Sequence, residues 1–228
     1  MRRDAFLRRV RAATGAPAPA PAPTSLSPSS SRDRADAPAR FAERWRRPHA
    51  FCTEAADADA AAAVVRILTA AGVSRVAVSA DPLLAEIELR GALRDAGIAP
   101  LEPPRSLDAG YAALADADAG VTVPAYAVAE TATLVEVSSP LQPRGLSLLP
   151  PLHVAVLRAE AAMSSLDDLF ATLTALPVEH TLSLISGPSG TADIEIQHVT
   201  GVHGPGDVHV VIVGGAPLVP PGRGGTSR

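Results

Sequence analysis

The sequence has one cysteine and no lysine, and both shortages exclude whole classes of chemistry. A single thiol, Cys52, cannot form an internal disulfide, a two-cysteine redox pair or a thiolate cage for zinc or an iron–sulfur cluster. All twenty basic residues are arginine, so a Schiff-base lysine and the lysine of a phosphate-binding Walker loop are absent as well. No cofactor is therefore evident in this chain.

Aromatic residues make up only 3% of the 228 residues, so alanine, valine, leucine and isoleucine must fill the core. With 47% hydrophobic residues, the chain suits one domain with appendages. No apolar run approaches the roughly 18–20 residues that cross a bilayer. The charged start MRRDAFLRRV also lacks the apolar core of a secretory signal. We expect a cytoplasmic protein that does not enter a membrane.

Charge is divided unevenly along the chain. Residues 1–47 carry a net charge of +7, and the remainder carries −11. A basic arm can bind nucleic acid, but no aromatic platforms interleave with these arginines. We therefore expect no nucleic-acid partner, and the arm would lie against its own acidic domain or against an acidic partner.

Composition divides the chain into four parts. Residues 1–14 predict a basic helix with a short apolar face. Residues 15–38 are a Pro/Ala/Ser linker, and residues 215–228 are a flexible tail. The folded domain is therefore expected between residues 39 and 214.

Within this domain helices and strands alternate at first, and strands dominate later. The predicted helices cover residues 55–71, 81–95, a short segment from Ser106, and 166–175; the predicted strands cover residues 73–79, 120–124, 131–137, 145–149, 152–157, 181–185, 194–199 and 207–213. Asp81 is a predicted helix cap, and Ser165 with Asp168 resembles a capping box. This order predicts a three-layer α/β domain with a mixed sheet. Ligands of such sheets bind at the carboxyl ends of strands, which makes the loops there the candidate sites.

Two segments place candidate catalytic residues at predicted strand ends. The stretch AVAETATL sets Glu130 between two threonines, where a carboxylate can act as a base or a nucleophile. The stretch LSLLPPLHVAV places His153 directly after two prolines, where it can act as a proton shuttle. A hydrogen-bonded turn at Glu130 and a satisfied core histidine at His153 are the structural alternatives.

Two glycine-rich loops complete the candidate site. In SGPSGTADIE, glycines allow backbone conformations that are closed to other residues, and free amides there can bind an anion. The candidate ligand-binding residues of this loop are Ser186, Gly187, Ser189, Gly190, Thr191 and Asp193. In GVHGPGD, His203 stands between two glycines, Gly201 and Gly204, and is a second candidate proton shuttle.

Two further kinds of site are not supported by the spacing of these residues. The cluster Glu195, His198, His203 and His209 has neither HxH nor HxxxH spacing, so we predict no metal site. A triad of Ser189, His203 and Asp193 would lack the GxSxG elbow that presents a nucleophilic serine.

Taken together, AETATL, SLLPPLH, SGPSGTADIE and GVHGP resemble, in this order, motifs of the lactate-utilisation protein C (LUD-domain) family. The opening RDAFLRRVRAA is similar too, so the resemblance covers the chain apart from its linker and tail. It implies a fold related to the ribose-5-phosphate isomerase, glucosamine-6-phosphate deaminase and CoA-transferase group. It also implies a role in oxidising L-lactate to pyruvate, with iron–sulfur clusters expected only in partner proteins.

The chain departs from the family pattern at two positions. Ala132 stands where glycine is usual, and Gly190 stands where a basic residue is common. The second departure puts the binding of an anionic ligand at position 190 in doubt. Three roles stay open: an accessory subunit of a lactate-oxidising system, an independent enzyme, and a sensor of a small acid, sugar phosphate or CoA thioester. The sequence leaves homo-oligomerisation open.

Overall fold

The computed structural model describes Arg9 and residues 29–103, 114, 116–173, 181–188, 190–192, 198–200 and 203–214. The helices are α1 (Ser31–Ala35), α2 (Ala37–Trp45), α3 (Ala60–Ala70), α4 (Pro82–Glu86), α5 (Leu89–Asp95), α6 (Gly145–Leu148) and α7 (Leu166–Leu173). The strands are β1 (Ala50–Ala55), β2 (Arg75–Val78), β3 (Ala99–Leu101), β4 (Ala119–Thr122), β5 (Tyr126–Val128), β6 (Thr133–Val137), β7 (Leu152–Arg158), β8 (Ala162–Met163), β9 (Leu182–Ile185), β10 (Gly190–Ala192), β11 (His198–Thr200) and β12 (Asp207–Val213). Among the described helices, none has both the length and the apolar character of a bilayer span.

A six-stranded parallel sheet forms the centre, in the order β1-β12-β7-β4-β2-β3. Its middle strands β7 and β12 are nearly continuous valine and leucine runs, as strands covered on both faces require. Val154, Val156 and Val211 face one layer, where they pack against helices α3, α4 and α5. Ala155 and Leu157 face the opposite layer.

That opposite layer consists of α2 and a second sheet of four strands, in the order β8-β5-β6-β9. Leu134 of β6 joins the core cluster of Leu157 from the central sheet, together with Phe41 and Trp45 of α2. Helix α7 covers the outer face of the second sheet, where Leu169 packs on Val135. Strands β10 and β11 form a separate antiparallel pair.

The predicted α/β class is confirmed: the central sheet is parallel, and the second sheet is mixed, since β5 pairs in parallel with β8 and antiparallel with β6. The strands predicted at 152–157 and 207–213 are β7 and β12. The strand predicted at 145–149 is wrong, because Gly145–Leu148 is helical and packs its backbone against Gly120. Strand β1 was not predicted, since AFCTEA carries no clear alternation.

Helix boundaries differ from the predictions in two places. Helix α3 begins at Ala60, after β1 and a short 3-10 turn take up the first residues of the predicted helix. The helix predicted over 81–95 is interrupted at Glu88, whose φ of 53° is left-handed. The caps are confirmed: Asp81 accepts a hydrogen bond from Leu83 N at 3.0 Å, and Ser165 and Asp168 bond reciprocally.

The predicted linker over 15–38 differs from the structure at its end, because α1 begins at Ser31 and α2 at Ala37. Pro38 occupies the first turn of α2, where a missing N–H costs nothing. The remaining predictions for residues 1–14 (apart from Arg9), the helix from Ser106, residues 194–197 and the tail 215–228 lie outside the described residues.

Candidate functional site

A chain of hydroxyl groups joins the turn after β5 to the end of β9. Thr131 Oγ1 lies 2.8 Å from Thr133 Oγ1, which lies 2.8 Å from Ser186 Oγ. Antiparallel pairing of β6 with β9 sets Leu134 opposite Ile185 and brings these hydroxyls to the same end of the second sheet. Thr131 and Ser186 are exposed, so the chain of hydroxyls opens to solvent at both ends.

The turn that carries Glu130 needs a left-handed backbone at Ala132, whose φ is 49°. A side chain in this conformation crowds the following carbonyl, which costs about 1–2 kcal/mol in a residue other than glycine. The alanine methyl is buried here and recovers part of the cost through packing.

We expect Ala132→Gly to raise the free energy of unfolding by up to about 1 kcal/mol, because glycine relieves the strain at positive φ. Chemical denaturation of both proteins measures the change. Ala129→Gly is the matched control, since Ala129 is buried in the same turn without a positive φ and should lose stability. Equal destabilisation by both substitutions would contradict the strain at Ala132.

Two arginines reach the ends of the hydroxyl chain: Arg44 lies within α2, and Arg47 lies two residues after its end. Arg44 Nη1 donates a hydrogen bond to the carbonyl oxygen of Glu130, and Arg47 Nη2 donates to that of Ser186. Trp45 lies between them in sequence, is completely buried and stacks on Phe41 with ring centroids 5.4 Å apart. The helix therefore anchors its end in the core and directs the two flanking cations to the hydroxyl chain.

Glu130 is exposed and has fixed partners at both its backbone and its side chain. Its N–H donates to Ser164 O at 3.0 Å, and its Oε2 accepts from Leu166 N at 3.1 Å. The carboxylate thus bonds the first turn of α7, where the helix dipole favours a negative charge. This contact fixes the side chain at the start of α7, and the residue stays exposed to solvent.

A second polar cluster is buried between the two sheets. Thr122 Oγ1 donates to Glu136 Oε1 and lies 2.7 Å from His153 Nε2. His153 Nε2 is 3.3 Å from Glu136 Oε1, and the histidine is 0% exposed. The three residues belong to β4, β6 and β7, so the cluster joins the central sheet to the second sheet. Among the described atoms, His153 Nδ1 has no hydrogen-bond partner.

The pKa of Glu136 lies below its usual value despite its burial. Burial by itself raises the pKa, but the hydrogen bond and the charge of His153 and the hydroxyls of Thr122 and Ser147 outweigh it. Glu136 is therefore a carboxylate in the folded protein at neutral pH. Glu136 and His153 thus form a buried polar pair that joins the two sheets.

His203 lies near the amino ends of parallel strands, close to where β12 begins. Gly206 N donates to Pro151 O at 3.0 Å, which ties this loop to the start of β7 and so to His153. The expectation that the candidate residues follow strand ends is wrong for these two histidines, because both stand where parallel strands start. The reason is that the paired prolines precede β7 and do not follow a strand.

The carboxyl ends of β1, β7 and β12 border a different feature, a cavity of about 860 Å³. The strand ends contribute Glu54, Ala159 and Ile212 to its walls. Arg34 of α1 and Asp36, which lies between α1 and α2, also line it. None of the predicted site residues that the structure describes lines it. Cys52 lies in a second cavity, of about 730 Å³, and burial raises the pKa of its thiol to about 12.

The structure thus brings part of the predicted site together. Glu130, Ser186 and Gly187 lie around one hydroxyl chain, whereas His153 lies in the buried cluster. Gly190 and Thr191 belong to β10, and Ser189 and Asp193 lie outside the described residues. Among the described residues, no group of three or more His, Cys, Asp or Glu side chains is placed to hold a metal.

Four polar residues of these clusters were not predicted: Arg44, Arg47, Thr122 and Glu136. Glu136 had a signal, since a carboxylate in the middle of the apolar strand TLVEV needs a buried partner. The sequence signal for the two arginines was weaker: the tryptophan inside ERWRR indicates a segment that packs on the core.

Comparison with known proteins gives one family for most of this domain. A family model described as the LUD domain matches residues 39–213. A lactate utilization protein C of Exiguobacterium sp. is 36% identical over 102 residues, which cover 42% of this chain and 44% of that protein. The protein of the same name from Deinococcus radiodurans is 36% identical over 115 residues, covering 50% and 52%. The chain therefore spans about half the length of these curated relatives.

A solved structure is similar over a larger part of the chain. The crystal structure of a DUF162-family protein from Deinococcus radiodurans superposes with a TM-score of 0.59 and 25% sequence identity. The superposition covers 82% of this chain and 100% of that one.

Proposed function

This chain belongs to the LUD-domain family, and from that membership we propose that it takes part in lactate utilisation. Its role is that of an accessory subunit in a cytoplasmic system that oxidises L-lactate to pyruvate. The observation that carries the proposal is the family match over residues 39–213, together with relatives that are named lactate utilization protein C.

The chemistry of the chain supports an accessory role. Oxidation of lactate to pyruvate releases two electrons and two protons, and the electrons need an acceptor. The one cysteine of this sequence cannot ligate an iron–sulfur cluster by itself, and its raised pKa keeps it a neutral thiol. Iron–sulfur partner proteins are therefore the electron acceptors in this proposal.

A second candidate is an independent enzyme or a ligand sensor for a small carboxylic acid, sugar phosphate or CoA thioester. The exposed carboxylate of Glu130 and the exposed hydroxyls of Thr131 and Ser186 support it, because a carboxylate can deprotonate a ligand and a hydroxyl can bind one. Fold alone does not choose between the two candidates.

Lactate-dependent dye reduction separates these roles. We expect no reduction by this chain alone, a low rate with iron–sulfur partners alone, and a several-fold higher rate with the mixture. Reduction by the chain alone would favour the independent enzyme. Equal rates with and without the chain would contradict the subunit role.

A further inference from the structure

We propose that Arg44 and Arg47 form a carboxylate clamp at the two ends of the Thr131–Thr133–Ser186 hydroxyl chain, and that the clamp binds a small 2-hydroxy or 2-oxo acid. The choice of acid rests on the proposed role in lactate utilisation. The location of the clamp rests on geometry alone, since each guanidinium bonds the backbone at one end of the hydroxyl chain.

Neither arginine is neutralised by a carboxylate among the described residues. The described ion pairs of arginine involve Arg46, Arg90 and Arg158, and each has a glutamate partner. Arg44 and Arg47 instead donate to neutral carbonyl oxygens. A guanidinium has five N–H donors, so most of them stay available to a ligand. Two exposed cations without counter-ions therefore flank one short row of hydroxyls.

The clamp is held in place before any ligand arrives. The Arg47 guanidinium carbon lies 5.9 Å from the ring centroid of the buried Trp45, within the range of a cation–π contact. The turn after β9 passes close to the same group, because a Cβ on Gly187 would lie 3.6 Å from its guanidinium carbon. Restricting the side chain in advance lowers the entropy cost of binding.

The remaining polar groups suit a 2-hydroxy or 2-oxo acid. A guanidinium fork binds a carboxylate through two parallel hydrogen bonds. The exposed hydroxyls of Thr131 and Ser186 can donate to, or accept from, an oxygen on the neighbouring carbon. Glu130 does not compete for the clamp, because its carboxylate bonds the amide of Leu166.

This arrangement also bears on the departure at Gly190. Strand β10, with the sequence GTA, has no basic residue. Arg47, two residues after the end of α2, brings positive charge to the turn before β10, and Arg44 brings it to the turn that carries Glu130. An anionic ligand therefore has cations to bind although position 190 supplies none.

Calorimetric titration of the full chain with L-lactate and with pyruvate tests the clamp. We expect Arg44→Gln and Arg47→Gln each to weaken binding about ten-fold or more, which corresponds to about 1.4 kcal/mol. Arg46→Gln is the matched control, because Arg46 lies on the same segment, is exposed and pairs with Glu54 at 3.6 Å. It should change the affinity less than about two-fold, as expected for a charge outside the site. Thermal unfolding confirms that each variant is folded.

Further ligands and variants make the outcome decisive. Arg47→Lys keeps the charge but loses the fork, so it should also weaken binding. If Arg44→Gln, Arg46→Gln and Arg47→Gln all lost the same affinity, the loss would come from net charge alone, and this would overturn the clamp. Tighter binding of inorganic phosphate than of lactate would overturn the carboxylate assignment, and absence of saturable binding to the wild-type chain would overturn the site.

The same variants separate the clamp from the proposed function. If dye reduction by the mixture requires this chain while Arg44→Gln and Arg47→Gln bind lactate as tightly as wild type, the subunit role stands and the clamp fails. If binding depends on both arginines while the mixture shows no dependence on this chain, the clamp stands and the subunit role fails.

Discussion

Replacing Gly120 by alanine is expected to lower the free energy of unfolding by about 3 kcal/mol or more, the upper range for overpacking a core. A Cβ at this position would lie 1.9 Å from the carbonyl oxygen of Leu146 and 3.0 Å from its carbonyl carbon. Both atoms are backbone, so no side-chain rotation relieves the overlap, and α6 must move away from β4. Gly120 is also paired with His153 in the sheet, which couples this movement to the buried cluster.

Gly91→Ala is the matched control for this substitution. Gly91 lies inside α5, and a Cβ there meets no atom within 4 Å. Alanine is favoured over glycine in a helix interior by about 1 kcal/mol, so this variant should be more stable than wild type. Urea denaturation of the two variants should shift the midpoint in opposite directions. Wild-type stability of Gly120→Ala would contradict the close approach of α6 to β4.

The local sequence pattern predicted the strands that have a regular apolar run and the helices that begin at a local cap. Runs of β-branched residues identified β7 and β12, and the caps at Asp81 and Ser165 identified two helix starts. The prediction of a strand at 145–149 was wrong because a short apolar run fits a strand and a helix equally well. The deciding interaction, Leu146 against Gly120, joins residues that are distant in sequence.

The candidate site was likewise predicted only in part. Glu130 and Ser186 were both expected at strand ends, and the pairing of β6 with β9 puts them at one end. The arginine contacts could not be foreseen, because Arg44 is 86 residues from Glu130 and Arg47 is 139 residues from Ser186. Charge composition grouped these arginines with a basic arm, although the domain expected from residue 39 onward already included them, and the burial of Trp45 shows that their segment packs on the core.

Glu136→Ala is expected to lower the free energy of unfolding by about 3–5 kcal/mol, since removing one partner of a buried pair leaves the other uncompensated. His153 would keep its place between the sheets without its carboxylate, and Thr122 would lose the acceptor of its hydroxyl. Glu136→Gln should cost less, because the amide oxygen can still accept that hydrogen bond. Chemical denaturation at neutral pH measures both variants.

The control is an exposed glutamate that, like Glu136, pairs with a basic side chain. Glu86 pairs with Arg158 at the surface, where their side chains are 58% and 36% exposed. Ion pairs in solvent contribute about 0–1 kcal/mol, so Glu86→Ala should leave stability almost unchanged. Similar losses for Glu86→Ala and Glu136→Ala would mean that the buried cluster contributes no more than a surface pair.

The stability difference between wild type and Glu136→Gln should depend on pH, and this dependence tells whether it comes from the charge of Glu136 or from packing. The pKa of Glu136 is lowered in the folded protein, so its contribution is fully present above the pKa of an unfolded glutamate, about 4.3. The contribution is lost as the pH falls from there through the folded pKa, because the unfolded chain binds the proton first. Wild type and Glu136→Gln should therefore converge in stability below that pH. A gap that stays constant into acid would assign the loss to packing, since packing does not depend on the charge of Glu136.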